Sequence, residues 1–298
     1  MFRSAICCAV AALVFGGLAA KAAEMDVGDA VLTYVDEGQG APVLFVHGAI
    51  SDMRAWDPYR EMIAADYRFI AYTQRYFGPG ERPDSTDGFQ RQTHINDLIA
   101  FVEGLDAGPV NLVTWSYSGE IGVMAMLARP DLFSSAIHYE PTLERLVAGV
   151  PGGDNASRKL FSQFGPAVAA AQEGRAEDAA LRFIEVVFQL PEGKAVGESG
   201  EQMWRDNGRT VLPFISMDPP AVIDCATLGR ITAPTLVVQG TDTYTRDSIM
   251  AEQVSGCVAN GMILPLAGAN HDGPYKQPEA FGAMIAGFLS LVSPASGS

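Results

Sequence analysis

The amino-acid sequence predicts an α/β protein in which helices cover both faces of a mostly parallel sheet. Short apolar strands alternate with segments of helical spacing, and three such strands are Pro42–Val46, Arg68–Tyr72 and Val110–Trp115. Their unbroken apolar runs are typical of strands that are buried on both faces. Alternation of strands with helices is the usual pattern of a parallel sheet. With 298 residues, of which 48% are hydrophobic, the chain can bury a large core.

The N-terminus has the features of a secretory signal peptide. Arg3 precedes an apolar run from Ala5 to Ala20, and Ala20-Lys21-Ala22 has the small-x-small pattern of a cleavage site. The run is shorter than the ~20 residues that a membrane-spanning helix needs, although an uncleaved anchor is the alternative. We therefore expect a signal peptide at residues 1–23, no stable membrane association after cleavage, and a periplasmic or secreted protein. Residues 24–298 are expected to form a single domain.

Charge and composition restrict the expected partners. The formal net charge is −15, and loss of Arg3 and Lys21 would take it to −17. So acidic a chain argues against nucleic acid or an anionic membrane as partner, which leaves a small-molecule substrate. The sequence shows no metal-ligand cluster and no phosphate-binding glycine loop, so we expect neither a metal nor a cofactor. Its pattern does not indicate an oligomeric state.

Two cysteines remain after the signal peptide, Cys225 and Cys257. An exported protein allows them to form a disulfide. Two buried thiols are the alternative, because sequence gives no distance between the two residues.

The remaining elements follow in chain order. Ala30–Glu37 alternates weakly and is expected to be an edge strand, and Ala55–Ala65 and Gln92–Leu105 are expected to be helices. After Val110–Trp115 comes a helix and then a strand at Ser134–Tyr139. The sheet resumes at Pro234–Gln239, continues with a last strand at Met262–Pro265, and is followed by a helix at Lys276–Val292.

Between residues 142 and 228 the strand–helix alternation stops. Helical spacing at Ser157–Gln172 and Ala176–Phe188 predicts a helical cap insertion that lies over the strand ends. Such a cap would supply apolar walls to a site. The candidates are Phe188, Met203, Trp204 and Phe214, together with Trp56 outside the cap.

The candidate nucleophile is Ser116, at the junction of a strand and a helix in Asn111–Gly122. A nucleophile on such a sharp turn needs small residues two places to either side. Thr114 and Ser118 occupy these places, where two glycines are usual. A helix N-cap serine in an ordinary turn is the competing interpretation.

A serine nucleophile needs a base, and histidine has the pKa for that role. Among the four histidines, His271 lies in a loop after the last strand, at the sheet edge expected for Ser116. His47 ends a buried strand before Gly48-Ala49, a turn whose amides can form an oxyanion hole, and is itself expected to be structural. The base also needs a carboxylate. Glu140 and Asp242 each follow a strand that ends at this edge, so position alone does not decide between them.

Several motifs in order resemble those of the α/β-hydrolase fold, and the resemblance covers the chain after the signal peptide. They are HGAISDMRAW from His47, TQRYFG from Thr73, LVTWSYSG from Leu112, ARPDLFSSAIHYEP from Ala128, APTLVVQG from Ala233 and LAGANHDGPYKQPEAF from Leu266. The resemblance implies that Ser116 is the nucleophile, that His271 is the base, and that the backbone N–H groups of Ala49 and Tyr117 form the oxyanion hole.

The resemblance also bears on the acid. The place where the family usually has its acid holds Thr243, and Asp242 lies one residue early. A subset of the fold, which includes the zearalenone-type lactonases, uses a glutamate after the sixth strand. AIHYEPT, which contains Glu140, resembles that version, so Glu140 is chosen over Asp242.

These observations together predict an exported serine hydrolase that cleaves an ester or lactone of a small apolar substrate through an acyl-enzyme. A serine nucleophile argues against the dehalogenase and epoxide-hydrolase branches of the fold, which need a carboxylate. The same triad could serve a carbon–carbon bond hydrolase or a perhydrolase. A non-catalytic binding protein of the same fold is a further alternative.

Overall fold

The computed structural model describes residues 22–293 except 81, 84, 192, 195, 196 and 221. The predicted signal peptide lies outside the described residues apart from its last two positions, and Ala23 begins the first strand. Within the described part of the chain, no helix combines the length and the apolar character needed to cross a membrane.

Eight strands form one sheet, in the order β1-β2-β4-β3-β5-β6-β7-β8. The pairs β1–β2 and β2–β4 are antiparallel and the five other pairs are parallel, so the sheet is mostly parallel, as predicted. The strands are β1 Ala23–Asp26, β2 Val31–Gly38, β3 Pro42–Val46, β4 Arg68–Tyr72, β5 Val110–Trp115, β6 Phe133–Tyr139, β7 Thr235–Gly240 and β8 Gly261–Leu266.

One strand prediction is wrong in its position. The strand expected at Ala30–Glu37 as an edge strand is β2, and β1 pairs along its outer side, with Ala23 opposite Tyr34 and Asp26 opposite Val31. The reason is that β1 has only four residues. So short a strand carries too little periodicity to be seen in the sequence.

Twelve helices accompany the sheet among the described residues. In chain order they are α1 Arg60–Ala64, α2 Arg91–Leu105, α3 Tyr117–Ala128, α4 Gly153–Phe161, α5 Gly165–Gln172, α6 Ala176–Val187, α7 Glu198–Asp206, α8 Val211–Ser216, α9 Cys225–Leu228, α10 Thr245–Cys257, α11 Gly273–Lys276 and α12 Pro278–Val292. Short 3-10 turns occur at Met53–Tyr59, Pro130–Leu132, Glu144–Leu146, Ser162–Phe164 and Gly208–Thr210.

The core lies on both faces of the sheet. Side chains along a strand alternate between the two faces, and in β3 Val43 and Phe45 join one apolar cluster while Leu44 and Val46 join the other. Helices α1 and α12 cover the first face, and α2, α3 and α10 cover the second. Burial on both faces explains why β3, β4 and β5 read as continuous apolar runs.

Six of the helices, α4 to α9, lie between β6 and β7, where the sequence predicts the cap insertion. The single helix expected at Ser157–Gln172 is broken, since α4 ends at Phe161 and α5 begins at Gly165. Pro166 lies in the first turn of α5, where proline is tolerated, whereas within a longer helix it would remove a hydrogen bond. Cys225 of α9 and Cys257 of α10 form a disulfide, the first of the two alternatives.

Candidate active site

Ser116 lies on a strained turn between β5 and α3. Its φ of 59° and ψ of −118° form a conformation that side-chain-bearing residues rarely adopt. The turn is held by backbone hydrogen bonds: Ser116 N–H donates to the Tyr139 carbonyl at 3.0 Å, and Thr142 N–H donates to the Ser116 carbonyl at 3.0 Å. The Ser116 side chain makes no capping hydrogen bond, which argues against the interpretation as an ordinary N-cap.

The two residues that replace the usual glycines have hydrogen-bond partners. Ser118 Oγ donates to the Val46 carbonyl at 2.7 Å and accepts from Trp115 N–H at 3.0 Å, which links β3, β5 and α3. Thr114 Oγ1 lies 2.6 Å from Nδ1 of His138 on β6. Both hydroxyl groups are therefore satisfied where the turn is tightest.

The start of α3 packs directly on the turn that follows β6. A Cβ atom at Gly119 would lie 2.4 Å from Pro141 Cβ and 2.7 Å from Pro141 Cα, and real Cβ atoms do not approach so closely. Packing against Pro141 therefore requires glycine at position 119. Pro141 immediately follows Glu140, so this contact joins the start of α3 to the turn that carries the candidate acid.

We expect Gly119→Ala to destabilise the protein by about 1–3 kcal/mol, because the clash with Pro141 outweighs the better helix propensity of alanine. Gly287→Ala is the matched control in α12, where a Cβ has nothing within 4 Å, and it should stabilise by up to about 1 kcal/mol. Urea unfolding of both variants measures the difference. Equal stability of the two variants would contradict the packing argument.

His271, in the loop after β8, is hydrogen-bonded to Glu140 at the end of β6. His271 Nδ1 lies 2.7 Å from Glu140 Oε2. Glu140 is fully buried; its Oε1 accepts from Gly240 N–H at 2.8 Å and its Oε2 accepts from Thr243 Oγ1 at 3.0 Å. The backbone of Glu140 also has a positive φ, 41°, so it turns sharply at the end of β6. The structure thus holds this carboxylate with three donors.

The pair is electrostatically coupled. Burial raises the pKa of Glu140, and the hydrogen bond and positive charge of His271 oppose this rise. Burial alone would lower the pKa of His271, but the hydrogen bond and negative charge of Glu140 outweigh it and raise the pKa above its ordinary value. A neighbour of this kind makes the imidazole a better proton acceptor.

Asp242, the other candidate acid, does not reach the base. It is exposed, and Thr241 Oγ1 lies 3.1 Å from its Oδ1, while its backbone N–H donates to the Ala269 carbonyl at 2.8 Å. Thr243 at the next position turns inward and donates to Glu140. Of the two candidates, the structure brings only Glu140 to His271.

The turn after β3 lies against the candidate nucleophile. A Cβ atom at Gly48 would lie 3.1 Å from the Trp115 carbonyl oxygen and 3.5 Å from Ser116 Cβ, so the neighbouring Ala49 is close to Ser116. Tyr117 is the first residue of α3, and its N–H belongs to the first-turn donors that a helix leaves unpaired. Ala49 and Ser116 line the same cavity, and Tyr117 directly follows Ser116. That the N–H groups of Ala49 and Tyr117 form an oxyanion hole stays a prediction.

His47 fixes this turn. Its Nδ1 lies 2.7 Å from the Gly48 carbonyl oxygen and its Nε2 accepts from Gln74 N–H at 2.9 Å. Burial lowers the pKa of His47 to about 4, so the ring is neutral at physiological pH. This placement agrees with the structural role expected for it.

The two other histidines are buried away from the cavity. His94 Nδ1 lies 2.6 Å from Tyr117 Oη, and His138 Nδ1 lies 2.6 Å from Thr114 Oγ1. Burial lowers the pKa of His94 to about 3 and that of His138 to about 4. Of the four histidines, His271 is the one that lines the cavity with Ser116.

A cavity of about 780 Å³ lies between the strand ends and the inserted helices. Ser116, His271 and Ala49 line its floor, and most of its walls are apolar. Among the residues proposed as walls, Phe188, Trp204 and Phe214 line it, whereas Met203 and Trp56 belong to the core. A volume of this size suits a ligand as large as a typical drug molecule.

Ser116 Oγ is not hydrogen-bonded to His271 among the described contacts. Its neighbour is Thr142 Oγ1, at 3.4 Å. Catalytic hydrogen bonds are often long without substrate and tighten in the complex, so a rotation of the serine side chain is compatible with the arrangement.

Charged residues on the cavity wall were not predicted from the sequence. They are Arg91, Glu144, Asp218, Arg246 and Asp247. Arg246 is separated from its partner Glu144 by 102 residues. No motif connects residues so far apart. The helical spacing of α10 was the one available signal, and it indicates a helix but not this contact.

The structure has the features of the class of α/β-hydrolases. They are the mostly parallel sheet, the strained serine turn with the backbone turn beside it, and the buried histidine–glutamate pair. The sequence profile of the alpha/beta hydrolase family matches residues 43–283, so the chain belongs to this family. Membership of this family confirms the predicted fold. It also confirms the prediction of a hydrolase, as a general class.

Relatives and solved structures agree with this assignment. The chain is 28% identical over 267 residues to BpoC of Mycobacterium tuberculosis, which carries a non-heme bromoperoxidase name, covering 88% of this chain and 98% of the relative. It is similar to a crystal structure of bromoperoxidase from Bacillus anthracis, with a TM-score of 0.75, 20% identity, and coverage of 91% of this chain and 100% of that one. An esterase from Exiguobacterium antarcticum gives a TM-score of 0.69 at 18% identity, covering 87% and 96%.

Proposed function

We propose that this protein is an exported serine hydrolase that cleaves an ester or lactone bond of a small apolar substrate through an acyl-enzyme. The observation that carries the proposal is the buried Glu140–His271 pair, whose histidine lines the same cavity as Ser116 on its strained turn. Histidine held by a carboxylate and placed near a serine is the arrangement that activates a hydroxyl group.

The reaction proceeds in two halves. Ser116 Oγ attacks the carbonyl carbon, and His271 Nε2 takes its proton while Glu140 holds Nδ1–H in place. The N–H groups of Ala49 and Tyr117 stabilise the oxyanion of the tetrahedral intermediate. The intermediate collapses, His271 gives its proton to the leaving alkoxide, and an acyl-serine remains. A water molecule activated by His271 then releases the carboxylic acid and restores Ser116.

The cavity favours an uncharged, largely apolar substrate. Aromatic and aliphatic side chains such as Phe183, Ile184 and Trp204 form much of its wall. Burial of an acyl chain or lactone ring against them contributes about 25 cal/mol for each Å² removed from water. Neither a cofactor nor a metal ion enters the proposed reaction, and a small molecule is the proposed partner.

The N-terminal sequence supports export. Arg3, the apolar run and the Ala20-Lys21-Ala22 pattern are those of a signal peptide. The Cys225–Cys257 disulfide fits this proposal, because disulfides persist in oxidising compartments such as the periplasm. The proposed location is therefore periplasmic or secreted.

A perhydrolase is the second candidate function, because BpoC and the Bacillus anthracis structure carry bromoperoxidase names. In that reaction hydrogen peroxide replaces water as the attacker of the acyl-serine, and a peracid is released with the free serine. The first half of the reaction and its residues are unchanged.

Labelling with a fluorophosphonate probe tests the proposed nucleophile. We expect folded protein to be labelled at Ser116, with the adduct located by peptide mass spectrometry. The same protein should hydrolyse p-nitrophenyl esters and lactones, and a series of acyl lengths will measure the capacity of the cavity. Adding hydrogen peroxide and bromide and measuring bromination separates the perhydrolase. An unlabelled Ser116 in folded protein would instead indicate a binding protein.

A further inference from the structure

A second buried carboxylate lies beside the histidine–glutamate pair. Asp247, in the first turn of α10, is 3% exposed. One carboxylate oxygen of Asp247, one of Glu140 and one ring nitrogen of His271 all lie within 4.8 Å of one another. The proposed mechanism does not use Asp247, although its carboxylate lies within 4.8 Å of the imidazole, close enough for its charge to act on the ring.

Asp247 is held in position by an arginine that links two parts of the fold. Arg246 Nη1 donates to Asp247 Oδ1 at 2.5 Å, and Arg246 Nε donates to Glu144 Oε2 at 2.7 Å. Glu144 lies in the turn after β6, four residues beyond Glu140. The guanidinium group also stands over the ring of Phe161, with Cζ 5.5 Å from the ring centroid. Asp247 therefore has a fixed place rather than a mobile one.

The groups around His271 carry a negative balance. Glu140 comes from the end of β6, Arg246 and Asp247 from α10, and Asp272 from the same loop as His271, while Glu144, in the turn after β6, is the partner of Arg246. One guanidinium group thus faces several carboxyl groups. A buried charge without a partner is costly, so these carboxyl groups need hydrogen-bond and ion-pair partners that offset that cost.

The cluster is engaged in hydrogen bonds as it stands. Glu140 accepts from Gly240, Thr243 and His271, and Asp247 accepts from Arg246. These hydrogen bonds already engage the carboxylates and hold the imidazole in place. A metal ion bound between the three side chains would have to displace them.

We propose that Asp247 is a positioning residue for the base: its carboxylate stabilises the imidazolium that His271 becomes when it accepts the proton of Ser116, and Arg246 moderates that effect. This inference rests on the proposed function of the site. An opposite charge within about 4–6 Å favours the charged form of a titrating group, which is the geometry seen here.

The two α10 residues have opposite effects on the base. The negative charge of Asp247 raises the pKa of His271, and the positive charge of Arg246 lowers it, after the larger effects of burial and Glu140. Removal of each charge should therefore move the titration of His271 in opposite directions.

The test is the pH dependence of kcat/KM, whose acid limb reports the base of the free enzyme. In Asp247→Asn this limb should move to lower pH by about one unit, with kcat on the plateau reduced about tenfold and KM little changed. In the double variant Glu144→Gln/Arg246→Gln it should move to higher pH. Asp242→Asn, an exposed acid on the neighbouring loop, is the control that leaves the limb in place. Lower activity with an unmoved limb in Asp247→Asn would overturn the proposal.

A second measurement works without turnover. In Ser116→Ala protein, the imidazole of His271 can be titrated by NMR with and without Asp247→Asn, and the midpoint should fall when the charge is removed. An unchanged midpoint rejects the proposal even if the natural substrate is never found. Failure of fluorophosphonate labelling would instead reject the proposed function, so the two failures are distinguishable. If Asp247→Asn does not fold, the upward shift in the double variant decides.

Discussion

Replacing Ser116 with alanine is expected to lower kcat for ester hydrolysis by about 10⁶-fold while the protein stays folded. Without the hydroxyl there is no acyl-enzyme, and residual turnover would come from the oxyanion hole and substrate binding alone. The fold should survive because the hydrogen bonds that hold the turn are made by backbone atoms of Tyr139, Thr142 and Gly119. Initial rates and thermal unfolding of the variant measure the two effects.

The control for this experiment is Ser290→Ala. Ser290 is exposed on α12 and its hydroxyl donates to the Gly287 carbonyl, so its removal should leave the rate unchanged. Ser116→Ala protein that retained more than a small fraction of the wild-type rate would point to a different nucleophile and would reject the proposed reaction.

Glu140→Gln should reduce kcat by about 10⁴-fold, whereas Asp242→Asn should leave it unchanged. An amide at position 140 can donate to His271 Nδ1 and so stabilise the tautomer that carries its proton on Nε2. That tautomer cannot accept a proton from Ser116. Steady-state kinetics with the preferred ester measure both variants.

A rescue variant sharpens the result. Thr243 Oγ1 lies 3.0 Å from Glu140 Oε2, so an aspartate at 243 would bring a carboxylate to the same place. We expect Glu140→Gln/Thr243→Asp to regain part of the lost rate. Full activity in Glu140→Gln, or a large loss in Asp242→Asn, would show that the acid had been wrongly chosen.

The strands of the central sheet could be predicted closely from the sequence. β3, β4 and β5 have the predicted bounds, because a strand buried on both faces is an uninterrupted apolar run between polar segments. The four-residue β1 could not be predicted in the same way, because it depends on tertiary pairing and leaves little local pattern. The break between α4 and α5 had a local signal in Pro166, since proline is tolerated in the first turn of a helix but not within a longer one.

The site was predictable where residues sit at characteristic junctions. Ser116 and His271 follow strands and precede helices, and the structure places both on the floor of one cavity. Strand position alone did not separate Glu140 from Asp242, because both follow strands that end at one edge, and only the resemblance of AIHYEPT favoured Glu140. The structure adds the hydrogen bond of Glu140 to His271 and the exposure of Asp242. Asp247 could not be found, because its position depends on a guanidinium bonded to a residue far away in sequence.

The candidate catalytic residues and the cavity walls lie on different parts of the fold. Ser116 and Glu140 stand on neighbouring turns joined backbone to backbone, and both have positive φ. The walls of the cavity come largely from the helices between β6 and β7. In the proposed reaction, the bond-breaking residues therefore lie at the ends of the sheet strands, and the inserted helices form the walls that would select the substrate. Changes in the insert can alter what is cleaved without disturbing how it is cleaved.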